Sequence, residues 1–167
     1  MVNNKIIMGL ALAIGTVFSI NQEQSRSNKE HIIKMMDRNQ ETGEMMVFSP
    51  KILVVNPGDT ITFKPTPRGH FSESLKYAIP DGAKEWKTRW GETESIKLKK
   101  PGFYGYICLP HRSMGMVGLI IVKGEGMYYN FDEAYSNTIY NSSFKETEVW
   151  EKLWNEVYNM RYQGKLD

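Results

Sequence analysis

The sequence predicts an all-β fold, an antiparallel sandwich or small barrel of seven to eight strands with hairpin or Greek-key connections, ending in a C-terminal α-helical hairpin. Three observations predict it. Short apolar or alternating runs recur between His31 and Gly124, turn signals separate them, and only after Ser143 does the apolar spacing lengthen to three- and four-residue steps.

The runs are His31–Met36, Met45–Phe48, Ile52–Val55, Thr60–Phe63, Ser95–Leu98, Phe103–Cys108 and Val117–Val122. Between them stand Glu41-Thr-Gly43, Asn56-Pro-Gly-Asp59, Pro65-Thr-Pro67, Pro80-Asp-Gly82 and Lys100-Pro-Gly102, residues that favour turns because they pre-set φ or tolerate its positive range. Strands this short and this evenly spaced suit an antiparallel sandwich or a small barrel. Tyr77–Arg89 is less regular and is expected to be loop with a short helix. Towards the C-terminus, Asn130 with Glu133 and Ser143 with Glu146 both have capping-box spacing. Val149, Trp150, Leu153, Trp154, Val157 and Tyr158 then form the stripe of an amphipathic helix, expected to pack on the sandwich.

At the other end, Lys5 precedes the charge-free stretch Ile6–Ile20, which has signal-peptide length. The expected organisation is a signal peptide over 1–20 (a membrane anchor being the alternative), a flexible leader over 21–30, a β domain over 31–124 and a helical extension over 125–167. Export follows from the first of these.

Composition removes several function classes. A formal charge of +2 gives no global field for nucleic acid, and 24% charged residues exclude a polytopic membrane protein. A single cysteine excludes an internal disulfide, a CxxC pair and a four-cysteine iron–sulfur cluster. Three histidines are too few for a trinuclear copper cluster, and one cysteine is too few for a binuclear copper centre. A Cys–His nucleophile pair would lack a third orienting group, so no enzyme is expected.

What remains is a donor set. Cys108, His111 and Met116 fall within the run Cys108-Leu-Pro-His-Arg-Ser-Met-Gly-Met116, between the end of one predicted strand and the start of the next. Thiolate, imidazole and a weak thioether suit copper, and a second histidine completes a trigonal His₂Cys site with a distant axial Met. His70 is available as that second imidazole, and His31 is its competitor. A site of this kind leaves no position for substrate, so it carries an electron and makes no bonds.

On these residues the chain resembles the pseudoazurins, small type 1 blue copper proteins of the cupredoxin fold. The resemblance is carried by Met46-Val-Phe48, Asn56-Pro-Gly-Asp-Thr-Ile-Thr-Phe63, Gly69-His70, Ile79-Pro-Asp-Gly-Ala83, Pro101-Gly-Phe-Tyr-Gly105 and, most specifically, Cys108-x-Pro-His-x-x-Met-Gly-Met116. It implies one copper ion per chain, alternating between Cu(I) and Cu(II), held by His70, Cys108, His111 and Met116, with Met114 a neighbour and not a ligand. It also implies periplasmic redox partners, such as nitrite reductase or a cytochrome. They are expected to dock on a monomer near His111, Pro110 and Met114, with Met46 adding to the apolar patch. In the family the residue after the first histidine is usually Asn, which ties the ligand loops together; Phe71 stands there in this chain.

The basic residues from Pro50 to Arg112 outnumber the acidic, and Lys64, Arg68, Lys76, Lys84, Lys87, Lys97, Lys99, Lys100 and Arg112 are expected to ring the copper end and attract an acidic partner. Arg112, beside a ligand, reads as a docking contact, as a charge that raises the copper potential, or as a solvated loop-tip arginine. The rival function is a copper carrier or storage protein without redox shuttling. Ten methionines, including Met35-Met36 and Met45-Met46, favour it, because soft thioethers prefer Cu(I).

Overall fold

The structure, a computed structural model, describes residues 28–67 and 69–166. The signal segment, residues 21–27 of the leader and Arg68 lie outside the described residues.

Eight strands form two four-stranded sheets. One has the order β2 (Met45–Ser49), β1 (Glu30–Arg38), β4 (Thr60–Thr66), β6 (Glu94–Lys97). The other has the order β3 (Ile52–Val55), β8 (Val117–Val122), β7 (Gly102–Ile107), β5 (Glu73–Ser74). The sandwich is mixed, where a purely antiparallel one was expected: β1 lies parallel to β4 and β3 parallel to β8, while the other pairs are antiparallel. Pairing between strands distant in sequence leaves no local signal, and so turn chemistry could not reveal it. The two-residue β5 falls in a segment without alternation and was not expected.

Period-two alternation places one face of each strand between the sheets. Ile33 and Met35 of β1, Ile61 and Phe63 of β4, and Tyr104 and Tyr106 of β7 meet there with Phe48 and Ile120, all of them buried. The opposite face of β7 and β8 is also covered. Phe103, Ile107, Leu119 and Ile121 pack under α1 (Phe131–Tyr140) and α2 (Phe144–Tyr162). Both strands therefore read as unbroken apolar runs, buried along their whole length.

The helical stripe packs on this outer face as expected: Trp150, Leu153, Trp154 and Val157 are buried against it. Of the two capping-box spacings, the one at Ser143 forms, with Ser143 N–H donating to Glu146 Oε2 at 3.3 Å. Asn130 does not cap. Its amide instead spans the backbone of Phe103, accepting from Phe103 N–H at 3.0 Å and donating to Phe103 O at 2.8 Å.

The turn at Asn56–Asp59 is held by the Asp59 carboxylate, which accepts from the N–H groups of Lys29 at 2.9 Å and Asn56 at 3.0 Å and pairs with His31 Nε2 at 2.9 Å. Burial pushes the Asp59 carboxyl up, but these partners outweigh it and hold it below the ordinary carboxylate range. His31 thus sits near the start of β1. Cys108 follows the far end of β7, and β1 itself reaches the Cys108 end only at Asp37.

Candidate metal centre

Cys108 begins a 3-10 turn over Leu109–Met114 that connects β7 to β8. Pro110 suits its first turn, where no N–H is needed. Gly115 closes it in the left-handed conformation (φ 87°), a position that favours glycine, and its N–H donates to Arg112 O at 2.9 Å. Cys108 N–H donates to Met116 O at 3.0 Å and Met116 N–H to His111 O at 3.2 Å, so the loop's two ends are tied together. His70 comes from the segment after β4, where its carbonyl accepts from Gly91 N–H at 2.9 Å.

These loops bring three donors to one point. His70 Nδ1 lies 3.1 Å from His111 Nδ1, Cys108 Sγ lies 3.5 Å from His111 Nδ1, and Cys108 Sγ lies 3.9 Å from His70 Nδ1. Among the described residues this is the cluster of His, Cys, Asp and Glu atoms close enough to share an ion. A point equidistant from the three atoms is about 2.1 Å from each, close to first-row metal–nitrogen and metal–sulfur bond lengths. Two imidazole lone pairs facing each other at 3.1 Å repel unless a cation or proton lies between them. The residues fit a metal ion.

The rings are set for that role. Asp37 Oδ1 accepts from His70 Nε2–H at 2.9 Å, which assigns the proton to Nε2 and leaves Nδ1 free to donate its lone pair. Burial, and next the neighbouring His111 ring, push His70 below its ordinary pKa against the pull of Asp37, so the ring is neutral near pH 7. Burial pushes the Cys108 thiol up, opposed by N–H donors from the backbone of Phe71 and His111. A bound cation reverses that balance in favour of thiolate. Met116 is fully buried in the same inter-sheet core as Cys108. His31 is absent from the cluster, paired instead with Asp59. The Phe71 side chain is buried; its ring lies 5.8 Å from Trp90, with Lys87 Nζ 5.2 Å from its centre.

Fold and site together define a small copper-binding cupredoxin. The family model of copper binding proteins of the plastocyanin/azurin family matches residues 34–123. A pseudoazurin from Methylorubrum extorquens is 42% identical over 113 residues, covering 68% of this chain and 71% of its own. The crystal structure of pseudoazurin from Methylobacterium extorquens superposes with a TM-score of 0.70 at 36% identity, over 77% of this chain and 99% of that one. A pseudoazurin from Sinorhizobium meliloti gives a TM-score of 0.69 at 32% identity, over 77% and 96%. The chain belongs to the plastocyanin/azurin family of copper-binding proteins and, within it, to the pseudoazurins. It is a blue copper electron-transfer protein, not an enzyme, and its cofactor is copper.

Two expectations about charge are corrected. Lys97 pairs with Thr60 at the start of β4, and Lys99 and Lys100 lead into the start of β7, so these three mark the end of the sandwich away from Cys108. Arg112 is not a solvated tip, because its side chain is bound to Glu146 of α2. Lys87 of the expected set does lie near the site, over the Phe71 ring, and other lysines beside the ligand loop come from elsewhere. Lys51, Lys145 and Lys152 line a groove of about 590 Å³ with Met45, Met46 and Met114. Asp37 and Glu146 were not expected at the site at all. Asp37 looks like a solvated charge in sequence and Glu146 like a helix-capping residue, and each partner is more than thirty residues away.

Proposed function

We propose that this chain carries single electrons on one type 1 copper ion, which His70, Cys108, His111 and Met116 would hold. The observation that supports it is the convergence of two Nδ1 atoms and one Sγ around a shared point, in a fold whose relatives are pseudoazurins. When bound, copper supplies reversible Cu(II)/Cu(I) chemistry. The chain's own residues keep rearrangement small. Asp37 fixes the tautomer of His70, the Phe71 N–H holds the sulfur, and the closed 108–116 loop fixes His111 relative to Cys108. His70, Cys108 and Met116 are shut off from water, while His111 is partly exposed beside the exposed Leu109, Pro110 and Met114.

On this reading an electron enters and leaves at the His111 edge through a small apolar patch, suited to brief docking. The partners are periplasmic redox proteins, with a reductase of nitrogen oxides such as nitrite reductase as acceptor. The chain reaches them as a monomer after its leader directs export. No described helix is long and apolar enough to cross a membrane.

The exported protein, loaded with Cu(II), should absorb intensely near about 600 nm from thiolate-to-copper charge transfer and bind one copper per chain. A colourless Cu(II) form would instead favour a copper carrier. That second reading has one observation behind it, the groove that gathers Met45, Met46 and Met114 into thioether-rich surroundings.

A further inference from the structure

Arg112 directly follows His111, and its side chain turns toward the helical hairpin. Its Nε donates to both carboxylate oxygens of Glu146, at 2.8 and 2.9 Å, and its Nη2 donates to the Tyr77 hydroxyl at 3.0 Å and the Asn141 carbonyl at 2.6 Å. The Glu146 side chain is only 2% exposed. It also accepts from Ser143 N–H and from Trp150 Nε1, each at 3.3 Å. One carboxylate therefore joins the ligand loop, the first turn of α2 and the core beneath it. A second contact supports the same loop: a Cβ on Gly115 would lie 2.7 Å from Val149 Cγ2, so α2 backs the loop on both sides of Ser113 and Met114.

A buried carboxylate facing a guanidinium is stable only as a pair, because removing either partner leaves an uncompensated charge out of water. A net positive charge near the metal favours Cu(I), and a net negative charge favours Cu(II). As a unit the pair is neutral.

We propose that Arg112 and Glu146 are positioning residues for the copper centre: their ion pair locks the His111 loop to α2 and cancels a charge beside the metal, so that the C-terminal helix helps set the reduction potential. The proposal rests on reading the site as a copper electron carrier.

The test is a charge cycle on the copper-loaded full chain. Glu146→Gln keeps an acceptor for only one of the Ser143 and Trp150 N–H groups, which use different carboxylate oxygens, and leaves Arg112 unbalanced, and should raise the potential. Arg112→Gln leaves the carboxylate unbalanced and should lower it. Each should change the Cu(I)/Cu(II) ratio at a fixed applied potential by about two- to tenfold, and the double variant should return toward the wild type. Shifts of the same sign in both single variants, or no shift in either, overturn the proposal.

The second readout needs no metal. Amide hydrogen exchange over Leu109–Met116 in the metal-free Glu146→Gln protein should quicken by about fivefold or more while β1 and β4 stay protected. Unchanged protection of that loop overturns the positioning role. A colourless loaded protein would sink the electron-carrier reading alone, since the exchange measurement still reports on the clamp.

Discussion

The two ring nitrogens of His70 are committed to different partners. Nε2–H points at Asp37 and Nδ1 points into the donor cluster, and the first bond settles the second. Removing the carboxylate frees the ring to rotate and to change tautomer. Asp37→Ala should therefore lower copper affinity by about 10–100-fold in a competition titration, with the fold intact by far-UV circular dichroism. Unchanged affinity would mean that the walls of the buried site orient the ring by themselves. Cys108, His111 and Met116 were readable as candidate donors because they share nine residues of chain, and spacing alone displays them. His70 could be weighed only against His31, since its approach to Cys108 depends on two sheets meeting. Asp37 gave no signal: a charged residue near a strand end is normally a solvated one. Phe71 marks the same limit. Its side chain packs on Trp90, while its N–H serves the Cys108 sulfur whatever the side chain is.

At the scale of elements, the strands with clear alternation or strong apolar character were readable, because their buried faces repeat every second residue. Of the two helices, α2 carries the apolar stripe that the sequence displays. The errors came where a side chain had a distant use for its polar atoms. Asn130, at capping-box distance from Glu133, instead binds both backbone groups of Phe103 just inside β7, and it is itself buried. An amide is required there, because one end must accept and the other must donate. Asn130→Asp should thus destabilise the protein by about 1–3 kcal/mol in urea unfolding at neutral pH, since a carboxylate cannot donate to Phe103 O and is costly to bury. An N-cap would behave otherwise, as Asp and Asn serve almost equally in that position. Equal stability of the two forms would restore the capping assignment.

The whole molecule has two ends, and its topology assigns charge to each. Counting lysines along the chain suggested a single cationic rim. The fold places Lys97, Lys99 and Lys100 at the end where β4 and β7 start, and Cys108 at the end where β7 stops. Six residues of extended strand separate the two, about 20 Å, which exceeds the screening length at physiological salt. Beside the ligand loop, α2 supplies Lys145 and Lys152, although the C-terminal region as a whole is acidic. Lys145 is paired with Glu148 at 3.1 Å but stays largely exposed, and such surface pairs are readily exchanged for a partner's carboxylates. Steering of an acidic redox partner should then depend on which lysines are removed. Replacing Lys145 and Lys152 by Gln should lower the bimolecular electron-transfer rate with an acidic acceptor by about threefold or more at low ionic strength, and the deficit should vanish as salt is added. Replacing Lys97 and Lys99 in the same way should leave the rate within about 30% of the wild type, because their charge faces the wrong end. Equal losses from the two pairs, measured by stopped flow across a salt series, would show that the net charge of the chain governs the encounter and its polarity does not.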